Sequence, residues 1–221
     1  MVIRVDPDKI AYMAVPKAAC SSIKASLAAL DPTHPVDDPT QMGQKEVHAF
    51  YATHRFRKHR WMHLDDYFRF TVVRDPLKRL MGVYTNRVVG LRELYNCRKI
   101  KRGRVDLPAD PDPDFFFQNL EGYIDISSSI KHHALPTALF TGRRFDVYTK
   151  VYKTNEINAL SADLSAHVGR EVVIPHFNSS DQPLSLDDLK PETHRVLKQR
   201  LAAEYTHLAR FFDNPLERVA A

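Results

Sequence analysis

The 221 residues hold 32 Lys and Arg against 27 Asp and Glu, a net charge of +5, and 43% are hydrophobic. This supports one domain over residues 1–221 with a sizeable core, and a charge excess that suits a nucleotide or other anion without demanding nucleic acid or a membrane surface. Two cysteines, Cys20 and Cys97, are too few for a disulfide framework. No stretch nears the ~20 apolar residues of a membrane span, and Met1–Asp6 lacks a signal-peptide core, so the expected location is cytoplasmic.

Ile10-Ala11-Tyr12-Met13-Ala14-Val15 reads as a strand. It runs into Pro16-Lys17-Ala18-Ala19-Cys20-Ser21-Ser22-Ile23-Lys24, and Ile23–Leu30 reads as a helix. A strand, a turn of small residues and a helix start make an anion cradle, because the first helical N–H groups are unpaired and carry partial positive charge. Lys17 adds a mobile cation. Lys24 is a further candidate, at a helix position that can point outward.

Asp31–Thr40 holds three prolines and three aspartates and reads as a surface loop. Lys45–Asp66 is rich in histidine and arginine and shows no clear period. Phe68-Arg69-Phe70-Thr71-Val72-Val73 reads as a buried strand, and Pro76 suits the first position of a helix. Leu77, Leu80, Met81, Tyr84, Val88, Leu91 and Tyr95 recur at helical spacing. Asn96–Pro113 is a basic loop that turns acidic. Phe116, Leu120 and Tyr123 mark another helical stripe. Phe145–Tyr152 reads as a strand, and Ile157, Leu160, Leu164 and Val168 mark the helix after it. A final helix spans Pro191 to Phe212, with Leu197, Leu201, Tyr205, Leu208 and Phe212 facing inward. Strands separated by helices predict an α/β domain with a parallel sheet, whose ligands sit beyond the carboxyl ends of the strands.

Arg74 stands at such a strand end, where a guanidinium can grip a phosphate through two hydrogen bonds. Asp75 can cap the following helix. The segment reads Val72-Val73-Arg74-Asp75-Pro76-Leu77-Lys78-Arg79-Leu80-Met81-Gly82-Val83-Tyr84.

The two segments together resemble the sulfotransferases that use 3′-phosphoadenosine 5′-phosphosulfate, nearest the carbohydrate sulfotransferase (sulfotransferase family 2) branch and its bacterial relatives. In that family a Pro-Lys-x-Gly-Ser-Thr or Pro-Lys-x-Ala-x-Thr-Ser loop holds the 5′-phosphosulfate. A Val-Arg-Asp-Pro-x-x-Arg-Leu-x-Ser-x-Tyr segment holds the 3′-phosphate. Pro16, Lys17, Ser21 and Ser22 fit the first; Val73, Arg74, Asp75, Pro76, Arg79, Leu80 and Tyr84 fit the second. Weaker echoes are His133-Ala134-Leu135-Pro136, the segment Tyr148–Ile157 ending near Glu156, and Phe177-Asn178-Ser179-Ser180. Ala19 and Cys20 stand where Gly-Ser is commoner, and Gly82 stands where the family usually has a serine that bonds the 3′-phosphate.

The resemblance implies a P-loop-like, three-layer α/β fold with a central parallel sheet flanked by helices, forming one sulfotransferase domain. It implies transfer of a sulfuryl group to a hydroxyl, less readily an amine, with a carbohydrate as the expected acceptor. The donor would lie on Pro16, Lys17, Ala18, Ala19, Cys20, Ser21, Ser22, Arg74 and Gly82, leaving adenosine 3′,5′-bisphosphate as product. Lys17 would be the catalytic cation, and no metal is needed because the protein supplies the positive charge. A base must take the acceptor's proton. Glu46, His48, His54, His59, His63 and His133 compete for it; His48 is favoured because its place after the Asp31–Thr40 loop resembles that of the base in some relatives, and because histidine ordinarily titrates near neutrality. His54, His63 and His133 are expected to line the acceptor site.

Other chemistries find less support. Cys-x5-Arg of a phosphatase fails, with Ser26 and Gly103 at the arginine positions. A Gly-x4-Gly-Lys-Ser/Thr loop is absent. No His-Glu-x-x-His occurs to hold a metal. Arg55–Trp61 and Arg98–Arg102 are basic runs that suit a solvated face or an anionic acceptor, and no nucleic-acid motif accompanies them. The rival readings are a donor-binding protein without turnover and a basic module that binds polyanions.

Overall fold

The computed structural model describes residues 2–34, 36, 38–177 and 184–217. In chain order the elements are β1 (Ile3–Val5), β2 (Ile10–Met13), α1 (Cys20–Ala28), α2 (Gln44–Phe50), β3 (Phe68–Val73), α3 (Pro76–Val83), α4 (Arg98–Lys101) and α5 (Pro113–Gln118). There follow α6 (Leu120–Ile126), α7 (Ser128–Ala134), α8 (Ala138–Thr141), β4 (Lys150–Lys153), α9 (Ile157–Val168) and α10 (Pro191–Leu208). The described residues within 1–74 and 137–179 form one compact unit, and those within 75–136 and 180–221 form another.

The first unit is an α/β layer structure built on a four-stranded sheet in the order β1-β2-β3-β4. β2, β3 and β4 are parallel, as expected, and β1 adds an antiparallel edge. Every residue of β2 is buried, which fits a parallel strand covered on both faces. Tyr12 stacks on Phe70 of the neighbouring strand at 4.8 Å between ring centres. Ile23 and Leu27 of α1, Val47 of α2, and Leu160 and Leu164 of α9 complete this core. The register pairs Met13 with Thr71, and the Thr71 hydroxyl donates to the Met13 carbonyl at 2.8 Å. The chain therefore leaves β2 and β3 at the same edge of the sheet, and both anion motifs begin there.

β4 is shorter and later than the expected strand over Phe145–Tyr152. Phe145 and Tyr148 are apolar because they are packed, not because they are paired in the sheet. Tyr148 donates its hydroxyl to the Thr141 carbonyl at 2.7 Å and meets Trp61 edge-on. Gly142 makes this corner possible: its φ is 77°, and a Cβ there would lie 2.8 Å from the Phe56 ring.

The second unit is helical. Leu77, Leu80, Phe116, Phe117, Tyr123, Leu197, Leu201 and Tyr205 are among its buried core residues. Asp75 caps α3 by accepting from the Lys78 N–H at 2.9 Å, and Pro76 starts the helix, both as expected. The single long helix expected through Tyr95 does not form. α3 passes into π-helical turns over Tyr84–Gly90, where Leu91 N–H reaches back five residues to the Asn86 carbonyl. The wider turn breaks the 3.6-residue period, so Val88 stays buried while Leu91 and Tyr95 are exposed. The stripe through Phe116 and Tyr123 is likewise two helices, α5 and α6. α10 ends at Leu208, four residues before the expected stop.

Candidate functional site

The loop between β2 and α1 is held in an uncommon backbone shape. Lys17 and Ala19 have φ of 65° and 57°, the left-handed region that costs a side-chain-bearing residue about 1–2 kcal/mol. Ala19 thus holds a conformation to which glycine is better suited. The turn is closed by Ala18 N–H donating to the Val15 carbonyl at 3.2 Å. Ala19 is also the N-cap of α1, and it offers no side-chain cap; the first turn has no acidic residue. The positive end of the helix is therefore left without a built-in anion.

Arg74, at the end of β3, donates from Nη1 to the Lys17 carbonyl oxygen at 3.1 Å. The parallel register brings two motifs 57 residues apart in the chain into direct contact. Lys17 and Arg74 are both part-exposed, whereas Pro16, Ala18 and Cys20 are buried. Ser22 is anchored from behind: the Phe177 N–H donates to its hydroxyl at 3.5 Å. Ser26, one turn on, donates to the Val173 carbonyl at 2.6 Å.

Ser21 faces α2. His48 Nε2 lies 3.0 Å from Ser21 Oγ, and His48 Nδ1 lies 3.0 Å from Lys24 Nζ. Lys24 Nζ also donates to Thr53 Oγ1 at 2.7 Å. Lys24 does not point outward as its helix position allowed: it is fully buried. Ser21 and Lys24 are three residues apart on α1 and share a face, and that face is covered by α2 rather than by water. Burial lowers the Lys24 ammonium to about 8, with Cys20 pulling weakly the other way. Sequence reasoning missed Thr53 altogether, since a lone threonine in an aperiodic stretch carries no signal.

The other candidates from this stretch are dispersed. Glu46, His54, His59 and His63 are exposed. His54 is held below the ordinary histidine range by desolvation first and then by positive charges that include Arg60 and Lys24.

In the second unit, Arg79 is fully buried. It donates to the His133 and Leu135 carbonyls and to both carboxylate oxygens of Glu204, all within 2.9–3.1 Å. These bonds make it a brace for the end of α7. Tyr205, the next residue of α10, donates its hydroxyl to Asp75 at 3.0 Å and accepts from the Leu77 N–H at 3.3 Å. Consecutive residues of α10 thus fix the start and first turn of α3; neither was legible as a site residue. Tyr84 is core, its hydroxyl donating to the Pro111 carbonyl. Gly82 is buried within α3. His133 donates from Nδ1 to the Ser129 carbonyl at 2.8 Å and accepts at Nε2 from Arg87, which also pairs with Glu93. Asn178, Ser179 and Ser180 lie outside the described residues. Among the described residues, no cluster of three or more His, Cys, Asp or Glu side chains could hold a metal ion, and no helix is long and apolar enough to cross a membrane.

The sulfotransferase family profile matches residues 1–218 of the chain. Carbohydrate sulfotransferase 14 of Mus musculus is 34% identical over 113 residues, and its Homo sapiens counterpart is 32% identical over 113 residues. Each match takes in 49% of this chain and 30% of the relative. No solved structure matches the chain significantly.

Proposed function

The chain belongs to the sulfotransferase family, and from that premise we propose that it moves a sulfuryl group from 3′-phosphoadenosine 5′-phosphosulfate to a hydroxyl acceptor, most fittingly on a carbohydrate. The observation that carries the donor half is the bond from Arg74 to the Lys17 carbonyl. It supports a site in which two basic loops serve one ligand bearing two phosphate groups. The uncapped start of α1, with no acid in its first turn, fits an anion there.

In this reading the donor supplies an activated sulfuryl group, and the protein supplies position and charge. The Lys17 ammonium stands where charge gathers on the oxygen that bridges sulfur and phosphorus. Ser21, Ser22 and the amides of the first turn of α1 hold the 5′-phosphate. Arg74 grips the 3′-phosphate and, through its bond to Lys17, fixes the loop that carries the catalytic cation. Orientation of acceptor and leaving group in line does the rest. The carbohydrate acceptor is supported by the names of the two relatives.

The test is thermal unfolding with adenosine 3′,5′-bisphosphate. At ~100 times its dissociation constant the ligand should add about 2.7 kcal/mol to the stability of the wild-type protein. Lys17→Ala and Arg74→Ala should each need far more ligand for the same gain. A wild-type protein indifferent to the nucleotide would overturn the proposal. Binding without transfer to any acceptor from a labelled donor would leave a donor-binding protein that lacks turnover.

A further inference from the structure

The contacts among α1, α2 and Thr53 say more than that a histidine is near the loop. A lysine ammonium has donors only, so its bond to His48 Nδ1 requires the lone pair of that nitrogen. The proton of the neutral imidazole then resides on Nε2, which donates to Ser21 Oγ at 3.0 Å. A serine hydroxyl has one proton of its own. With its oxygen accepting from His48, that proton must be directed elsewhere, as a donor. Among the described residues, Lys24 makes hydrogen bonds to His48 and Thr53 and to no carboxylate. A buried cation bonded to an imidazole and a hydroxyl is costly in folding terms, and it imposes this tautomer on His48.

We propose that Lys24 and His48 form a hydrogen-bonded relay that fixes the Ser21 hydroxyl as a donor to the 5′-phosphate of the sulfate donor. The inference rests on the donor-binding reading above and deepens it. His48 is then a positioning residue acting through Ser21. This differs from the base expected at His48 from its place in the sequence. Its lone pair is committed to Lys24 and its N–H to Ser21, so the arrangement turns it toward the donor loop.

The experiment measures the dissociation constant of adenosine 3′,5′-bisphosphate and, separately, the single-turnover transfer rate at saturating donor. The variants are His48→Ala, His48→Gln, Lys24→Met, Ser21→Ala and the double variant Ser21→Ala/His48→Ala. A correctly placed hydrogen bond to a charged group sets the scale, so His48→Ala and Lys24→Met should each weaken nucleotide binding roughly 5- to 20-fold. His48→Gln, which retains a donor and an acceptor but no basic nitrogen, should recover most of that affinity. In the Ser21→Ala background, removing His48 should have little further effect, because the relay ends at the serine. Should His48→Ala fail to fold, the glutamine variant and Lys24→Met carry the same comparison.

Two results overturn the relay and are told apart. If wild type binds and Ser21→Ala weakens binding, but the His48 and Lys24 variants bind as wild type, the relay alone is wrong. In that case a transfer rate lost equally in His48→Ala and His48→Gln would mark His48 as the base. If wild type does not bind the nucleotide at all, the donor reading falls and the relay with it.

Discussion

Replacing Lys24 by methionine should make the protein more stable at neutral pH, and the gain should vanish in alkali. Lys24 is fully buried between α1 and α2, and burial lowers it to about 8 from its ordinary 10.5. At about 1.4 kcal/mol per pH unit, the folded state loses about 3 kcal/mol wherever the unfolded lysine is charged and the buried one must be too. The sign follows from proton counts. Below pH 8 both states hold the proton and the penalty is constant. Between 8 and 10.5 the unfolded state binds more protons, so the wild type gains stability as pH rises. Methionine fills a similar volume and carries no charge. Against the 3 kcal/mol stand the lost bonds to His48 and Thr53, each worth about 1 kcal/mol net. The net expectation is about 1 kcal/mol in favour of Lys24→Met at pH 7, reversing to a deficit near pH 10. Urea unfolding of both proteins at pH 7, 8, 9 and 10 measures the difference directly. A gap between the two proteins that stays constant across this range would refute the reasoning, because it would mean that Lys24 does not titrate within it.

Three further outcomes follow from other contacts. Ala19→Gly should raise stability by about 0.5–1 kcal/mol, the left-handed strain relieved less the extra freedom of glycine in the unfolded chain; a loss in denaturant unfolding would contradict the backbone shape of the loop. Glu204→Ala should cost about 3–5 kcal/mol, since it strands the buried Arg79 guanidinium, while Glu204→Gln, which keeps an acceptor for it, should cost clearly less; equal losses in thermal melts would show that the retained acceptor contributes nothing. Tyr205→Phe should cost about 1–2 kcal/mol by leaving Asp75 and the Leu77 amide one partner short; an unchanged denaturation midpoint would show that α10 does not brace α3.

The parts of this protein that were legible in its sequence are those where one physical cause acts over consecutive residues. β2 is an unbroken apolar run because both faces are covered, β3 is rich in β-branched and aromatic residues that bury from Phe70 onward, and α9 keeps its apolar period because one face alone is buried. The loop after β2 and the Arg-Asp-Pro turn after β3 were legible because each is a contiguous set of residue types. The rest depends on contacts between distant residues or on backbone departures. α2 has a single buried residue, Val47, and so left no period in a histidine-rich stretch. β1 is three residues long, too short to alternate visibly. The π-helical turns after Val83 moved Leu91 and Tyr95 off the face that their spacing implied. Lys24 finds its partners 24 and 29 residues away, so its helix position alone misjudged its direction. Arg79 matched a ligand-binding motif, yet Glu204 and the end of α7 occupy its guanidinium.

The central claim is that Lys17 and Arg74, in contact at the end of the sheet, serve the two phosphates of one nucleotide. The most direct measurement compares the affinities of adenosine 3′,5′-bisphosphate and adenosine 5′-monophosphate for the wild-type protein and for Arg74→Ala. The account predicts that the 3′-phosphate strengthens binding at least tenfold in the wild type, about 1.4 kcal/mol, and by almost nothing in Arg74→Ala. Equal affinities for the two nucleotides in the wild type, or a 3′-phosphate advantage that survives the loss of Arg74, would contradict it.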